Sequence, residues 1–555
     1  MLIEVLIKRS SVLCRLAAGF ILLFFSGTAF SEETSFENMI VLVADGMGSA
    51  HTTAARWYKG LPLALDRMNL GAVRTYGPDS IIIDSAPAAT AFATGHKTSN
   101  KLISVLPGPV TVPEVNRIPD NLMYKPVATV LEGAKLSGRS VGIIATSNIQ
   151  HATPAGFSAH WPDRNNYNEI AEQQVYLNMD VVMGGGKKYL TPKENGGARI
   201  DGENLLEVLE SRGYDFVETK DAMQNSTSRK LWGMFADDDM AYEFDRRMFH
   251  SGQPTLSEMT KKAIEILSKN PKGFFLFVEG SKIDWASHAN DPIGVISDIL
   301  AFDDAVKVAL DFAQAKGKTM VLAFADHGTG GMSIGSRPTD GAHRKLTYEA
   351  VFGPLKKARL TGEGIERLIG KNPSDEHIRK VMEQYAGVND LSQNEIDAIK
   401  KARPGKLNSA TGPMISSRVN IGWTTSGHTG EDLFFYVYGL NRHIGLIENT
   451  DIAHIIAKGM DFDLAGIDRE LFVDAEEAFG KIGANVRIEK KDPANPVLII
   501  EKKGRYAEMP FSKDIIRAGT DLKESRMQGI TIFSPRTKKV YIPRQAVSIF
   551  EKESK

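Results

Sequence analysis

A single cysteine, Cys14, is present in the 555 residues. A disulfide-stapled fold is therefore excluded. No charge of one sign dominates: 67 Lys+Arg stand against 68 Asp+Glu, a balance that argues against a dedicated nucleic-acid binder. Beyond the first thirty residues, no apolar run is long enough to cross a bilayer. Internal repeats are absent, and so is a Gly-x-Ser-x-Gly elbow, which removes support for a Ser-His-Asp α/β-hydrolase. With 42% hydrophobic and 24% charged residues, the chain has the mix of an ordinary globular protein, not of a disordered tail or a collagen-like fibre.

The N-terminus departs from this mix. Lys8, Arg9 and Arg15 precede the apolar run Leu16–Phe25, and small residues follow, with a cleavage site at Ala29-Phe30-Ser31. This is the three-part order of a secretory signal peptide, expected over residues 1–31. The run is too short to be read as a transmembrane anchor. Cleavage removes Cys14 and leaves a mature chain of net charge −3, secreted or periplasmic, that depends on core packing and bound ions for stability.

Five short apolar runs lack alternation and read as buried parallel strands: Met39–Ala44, Val141–Thr146, Phe274–Val278, Met320–Ala325 and Leu433–Tyr438. Amphipathic stretches at Leu256–Lys269 and Pro292–Lys316 lie between them. The succession predicts an α/β three-layer sandwich with a mainly parallel central sheet. Residues 32–330 and 426–469 form the expected catalytic core. A polar stretch at 331–425, with helices at Asp375–Tyr385 and Gln393–Ala402, reads as an inserted subdomain. Residues 470–555 read as a small basic β-rich module, with hairpins around Val497–Ile500 and Gly529–Phe533. Its last 75 residues hold 17 Lys+Arg against 9 Asp+Glu, so the rest of the mature chain is acidic.

Polar residues cluster at the C-terminal ends of three strands: Asp45, Glu279, and the pair Asp326-His327. Open α/β sheets place their ligand crevice there. Asp84-Ser85-Ala86 opens an alanine-rich helix, with Asp84 or Ser85 at its N-terminus, where free N–H groups suit phosphate. His151-Ala152-Thr153-Pro154 follows the second strand, and Arg164 lies downstream as a candidate bidentate partner for phosphate oxygens. Asp284 and His288, four residues apart, share one helix face and can meet one ion. His428 sits in Gly427-His428-Thr429-Gly430 before the fifth strand.

In this order, Asp45-Gly46-Met47-Gly48, Asp84-Ser85-Ala86, His151-Ala152-Thr153-Pro154, Glu279 with Asp284 and His288, Asp326-His327 and His428-Thr429-Gly430 resemble the alkaline phosphatase family. The resemblance covers roughly residues 36–440, and the ordered combination is specific where each motif alone is weak. It implies a phosphate monoesterase that acts through a phosphoseryl intermediate on Ser85, with two zinc ions and one magnesium ion per chain. Asp284, His288 and His428 are implied as ligands of one zinc, and Asp326, His327 and Asp45 as ligands of the second. Asp45, Thr153 and Glu279 are implied for magnesium, and Arg164 as the phosphate clamp. A homodimer is implied on the same ground.

Two positions differ from one version of the family pattern. His151 stands where some members carry an acid, and Trp285 follows Asp284 where others have lysine or histidine. With Asp84, these side chains adjoin the metal and phosphate sites. The other readings are a phosphodiesterase of the same superfamily and a non-catalytic envelope protein that binds metal or phosphate.

Overall fold

A ten-stranded sheet runs through the molecule. In chain order its strands are β1 (Asn38–Ala44), β2 (Asn69–Arg74), β3 (Ser140–Asn148), β4 (Val181–Gly185), β5 (Asp215–Val217), β6 (Leu231–Met234), β7 (Phe274–Gly280), β8 (Thr319–Phe324), β9 (Leu433–Tyr438) and β10 (Leu446–Glu448). Their spatial order is β10-β2-β9-β8-β1-β7-β3-β4-β6-β5. The computed structural model describes residues 35–553 except 114, 403 and 441–443. The expected signal peptide, residues 1–31 with Cys14, lies outside the described residues.

The central strands β1, β7 and β8 are buried along their whole length, because helices cover both faces of the sheet. That burial explains their continuous apolar sequences. The helix Pro292–Lys316 spans the range read from the sequence, with Asp291 capping it and Pro292 in its first turn. The architecture is the expected α/β sandwich, with additional antiparallel sheets at the C-terminus.

One expectation is overturned. Leu433–Tyr438 is not a parallel strand: β9 pairs antiparallel with both β2 and β8. The reason lies in its entry point. Gly328–Thr329, just past β8, pairs antiparallel with His428–Thr429, just before β9. The chain therefore enters β9 at the edge where it left β8, and β9 must run back. Local apolarity reports burial and carries no record of direction. Five strands of the sheet, β2, β4, β5, β6 and β10, carried too weak a pattern to be read in advance.

Between Thr329 and His428 in the chain lie helices at Asp375–Ala386 and Gln393–Lys401, each started by a serine cap, Ser374 and Ser392. In the C-terminal region, Asn485–Glu489, Val497–Lys502, Arg505–Pro510, Ile515–Ala518 and Lys523–Arg526 form a five-stranded antiparallel sheet. A second hairpin joins Ile532–Phe533 to Val540–Ile542. This region has its own apolar cluster, including Phe479, Ile500, Met509, Ile516 and Phe550. A buried ion pair ties it to the rest: Arg212 Nη2 lies 2.6 Å from Asp514 Oδ1, and Nη1 lies 3.1 Å from Oδ2. No helix among the described residues is long and apolar enough to cross a membrane.

Candidate active site

The C-terminal ends of β1, β7 and β8 lie side by side in register, with Val43 paired to both Glu279 and Phe324. Asp45, Glu279 and Asp326 therefore emerge at one edge. Parallel pairing converts three separated sequence positions into one acidic rim. Gly46 allows the turn after Asp45: its φ is 71°, and its N–H donates to Asp326 Oδ1 at 3.0 Å.

Ser85 is the first residue of the helix Ser85–Thr94, and Asp84 is its cap, accepting from Ala86 N at 2.9 Å. The helix is buried throughout, and its small alanine side chains permit that close packing. Ser85 Oγ lies 3.1 Å from His327 Nε2. The same nitrogen is 3.3 Å from Asp326 Oδ2 and 3.6 Å from Asp45 Oδ1. Next to it, the His327 and His428 rings stack with centroids 3.8 Å apart. Asp284 is 3.3 Å from His288 Nε2 and 3.9 Å from His428 Nε2.

Three overlapping groups of donors result: Asp284, His327 and His428; Asp45, Asp326 and His327; Asp45, His151 and Glu279. Within each group the ligand atoms lie within 4.8 Å of one another. His288 borders the first group through Asp284. Thr153 is fully buried in the helix Ala152–Ser158, which His151 precedes. Arg164 Nη2 donates to His151 Nε2 at 2.8 Å, and Nη1 lies 3.5 Å from Asp84 Oδ2. Trp285 sets its ring edge-on to His151, with centroids 5.8 Å apart. Every residue singled out in the sequence is thus drawn into one neighbourhood.

The donors fit cations. Both carboxylate oxygens of Asp45, Asp326 Oδ2, Glu279 Oε1 and Thr153 Oγ1 are buried and accept no hydrogen bond among the described residues. Buried acceptors left in that state are costly unless something positive meets them. Burial pushes Asp45 well above the carboxylate range, and the Asp326, Asp284 and Glu279 charges add to it. Burial likewise lifts Glu279 to about 7. A bound cation would reverse both shifts. Burial opposes ionisation of Asp284 too, yet His288, His327 and His428 outweigh it and hold the carboxyl low.

The imidazoles are oriented for the same task. His288 Nδ1 faces Ser426 O at 2.6 Å, and His428 Nδ1 faces Ile83 O at 3.0 Å. A carbonyl only accepts, so each Nδ1 carries a proton. His428 Nε2 presents its lone pair inward, whereas, against burial, Asp284 lifts His288 to about 9 and holds a proton on its Nε2 that a bound cation would displace. Burial, helped by His327, lowers His428 to about 3, so its ring is neutral at physiological pH. His151 is also held near 3, by burial and by Arg164. Because its Nε2 accepts from Arg164, its proton sits on Nδ1, which has no partner among the described residues.

Supporting residues went unread in the sequence. Thr329 Oγ1 donates to Asp284 Oδ1 at 2.6 Å and lies 3.2 Å from His327 Nδ1. Its place two residues after Asp326-His327 was the available signal. His51, buried against Ser287 Oγ at 3.1 Å, had no local signal, because only the fold brings it there.

A buried set of carboxylates and imidazoles closing on one serine, at the strand ends of an α/β sheet, defines the class: an enzyme whose donors suit metal ions. Comparison with known proteins specifies it further. The family model "Alkaline phosphatase" matches residues 36–462. Alkaline phosphatase 4 of Bacillus subtilis is 36% identical over 449 residues, covering 77% of this chain and 89% of its own. The crystal structure of Thermus thermophilus alkaline phosphatase superposes with a TM-score of 0.68 at 27% identity, over 79% of this chain and 95% of its own. A His-to-Asp mutant of TAB5 alkaline phosphatase, with Mg bound in the M3 site, superposes with a TM-score of 0.56 at 27% identity, over 78% of this chain and 99% of its own. The chain belongs to the alkaline phosphatase family, metal-dependent phosphoric monoester hydrolases.

Proposed function

We propose that the protein is an exported alkaline phosphatase that hydrolyses phosphate monoesters through a phosphoseryl intermediate on Ser85. The observation that carries this reading is the meeting of Ser85 Oγ with His327 Nε2 across 242 sequence positions, the same nitrogen lying beside Asp326 and Asp45. Asp284, His288 and His428 would hold one zinc; Asp45, Asp326 and His327 a second; Asp45, Glu279 and Thr153, beside His151, a magnesium. When bound, these ions favour ionised oxygen nucleophiles and neutralise charge on transferring phosphate.

The chain's own residues supply the remaining parts. Buried Ser85 is held at a fixed start of its helix, so its oxygen is positioned before substrate arrives. The helix N-terminus and the Arg164 guanidinium face the non-bridging oxygens, where charge develops. Ser85 Oγ attacks phosphorus, the bond to the leaving oxygen breaks, and the alcohol departs with a proton. Water then attacks the phosphoserine, the Oγ–P bond breaks, and phosphate and free Ser85 are restored. Export is argued from the basic, apolar and small-residue order of residues 1–31. Within the proposal, 331–425 is an insertion beside the site and 470–555 an appended module.

The test is p-nitrophenyl phosphate hydrolysis by the zinc- and magnesium-loaded protein. Chelation should abolish turnover, and metal should restore it. Ser85→Ala should lower kcat by at least about 10⁴-fold, and Arg164→Ala should lower kcat/KM by about 10²-fold. Full activity in the Ser85→Ala protein would reject the mechanism.

A further inference from the structure

A cavity of about 990 Å³ lies beside the active site. One wall is formed by Tyr242, Lys282 and Trp285, and the other by residues from Glu363 to Ser409. Lys282 is the unusual member. Only 4% of its surface is exposed, yet its Nζ makes no hydrogen bond recorded among the described residues. The Nζ sits 4.3 Å from the Tyr242 ring centroid and 4.4 Å from that of Trp285. Its nearest carboxylate is Glu363, at 3.9 Å. Aromatic faces stabilise a cation without using its N–H donors. The ammonium is therefore held in place with its hydrogen-bonding capacity unspent, on the wall of an open space.

The acids around the cavity are largely engaged elsewhere. Asp238 pairs with Lys188, and Asp239 accepts from Asn148 N and Nδ2. Glu366 accepts from Gly405 N through Oε1, while its Oε2 is buried without a hydrogen-bond partner among the described residues. Burial raises Asp239, Asp245 and Asp298, and the nearby Lys282 charge offsets part of that rise in each. The exposed side chains of Lys371 and Lys406 also line the cavity. Lys282, Arg367, Lys371, Lys400 and Lys406 line the cavity against Asp238, Asp239, Glu363 and Glu366. This small cationic excess suits an anion of tetrahedral shape, and the cavity's size admits an organic substituent.

We propose that this cavity is a second, non-catalytic binding site for a phosphate-type oxyanion, anchored by Lys282. It is separate from the Arg164 clamp, although Trp285 borders both, lining the cavity and touching the His151 ring. The proposal goes beyond the catalytic reading and does not depend on it.

Equilibrium dialysis of the metal-loaded protein with labelled inorganic phosphate should find two sites per chain. Lys282→Met should weaken one of them at least about tenfold and leave p-nitrophenyl phosphate kcat within about twofold. Lys371→Ala and Lys406→Ala, both on the surface and safe for folding, should each weaken the same site about two- to threefold. Competition with phenylphosphonate separates the sources: tighter binding than phosphate marks an organic phosphate, and weaker binding marks the free ion, each supporting the site. A single site, lost in Arg164→Ala and unmoved by the three lysine variants, would overturn the proposal. A protein without phosphatase activity that keeps the Lys282-dependent site would instead count against the catalytic reading alone.

Discussion

Gly156 packs against Ala89 so closely that a methyl group on Gly156 would stand 2.5 Å from the Ala89 Cβ. The two residues belong to the helices that carry Thr153 and Ser85. Absence of a side chain at one position thus sets the spacing between two parts of the site. Gly156→Ala should force the helices apart, at a cost of about 1–3 kcal/mol. Thermal unfolding should show a lower Tm, and kcat/KM should fall with it. Adding Ala89→Gly should recover part of both, despite its helix-propensity cost. An unchanged Tm in the single variant would refute this account of the packing.

His151 presents a neutral ring whose Nε2 is taken by Arg164, so it offers the neighbouring Asp45 and Glu279 no anionic oxygen. Magnesium prefers hard oxygen donors. His151→Asp should raise magnesium affinity at least about tenfold. The new carboxylate should also draw Arg164 into an ion pair and raise KM for phosphate esters. Calorimetric titration of metal-stripped protein and steady-state kinetics check both halves. Weaker magnesium binding in the variant would contradict the assignment.

The ion pair between Arg212 and Asp514 is nearly dry, with side chains 2% and 7% exposed. Arg212 also lies over the Tyr176 ring, 4.6 Å from its centroid. Asp514→Asn leaves a buried guanidinium without its counter-charge and should destabilise the protein by about 3–5 kcal/mol. Arg212→Met combined with Asp514→Leu should be much milder, because neither charge is stranded. Denaturant unfolding distinguishes the two. Equal losses would mean that packing, not charge, is what matters there.

Asp245 is buried, and its oxygens accept from Thr361 N at 2.9 Å and Thr361 Oγ1 at 2.6 Å. Burial raises its carboxyl from 3.8 to about 6 against the pull of those donors. The folded protein therefore holds the proton more tightly than the unfolded chain. Its contribution is fully present below pH 3.8 and is lost as pH rises through about 6. Asp245→Asn keeps a neutral group of the same shape. Relative to wild type, its stability should improve between pH 4 and pH 7, by up to roughly 3 kcal/mol. A Tm difference that stays flat across that range would remove Asp245 from the pH response.

Much of the site was legible because chemistry is local in type. The order of Asp45-Gly46, Ser85, Thr153, Asp284-x-x-x-His288, Asp326-His327 and His428 resembles one family, and strand-end acids could be seen as such. Thr329 and His51 escaped because hydroxyls and single histidines are common, and only their contacts distinguish them. The direction of β9 escaped for a related reason: a strand covered on both faces reads the same in either orientation. Nothing local singles out Lys282, because Tyr242, whose ring lies beside its ammonium, is forty positions earlier in the chain.

By itself the sequence determined which residues could bear charge, ligate metal or start a helix, and where apolar runs demanded burial. These are properties of side chains and of near neighbours, which the order of residues carries directly. Tertiary structure alone decided that parallel pairing of β1, β7 and β8 brings their acidic ends to one rim. It also decided that the ribbon of Gly328–Thr329 with His428–Thr429 seats His428 against His327. Such meetings depend on register and chain direction, set by the sum of many weak contacts across the core, and no single segment records them.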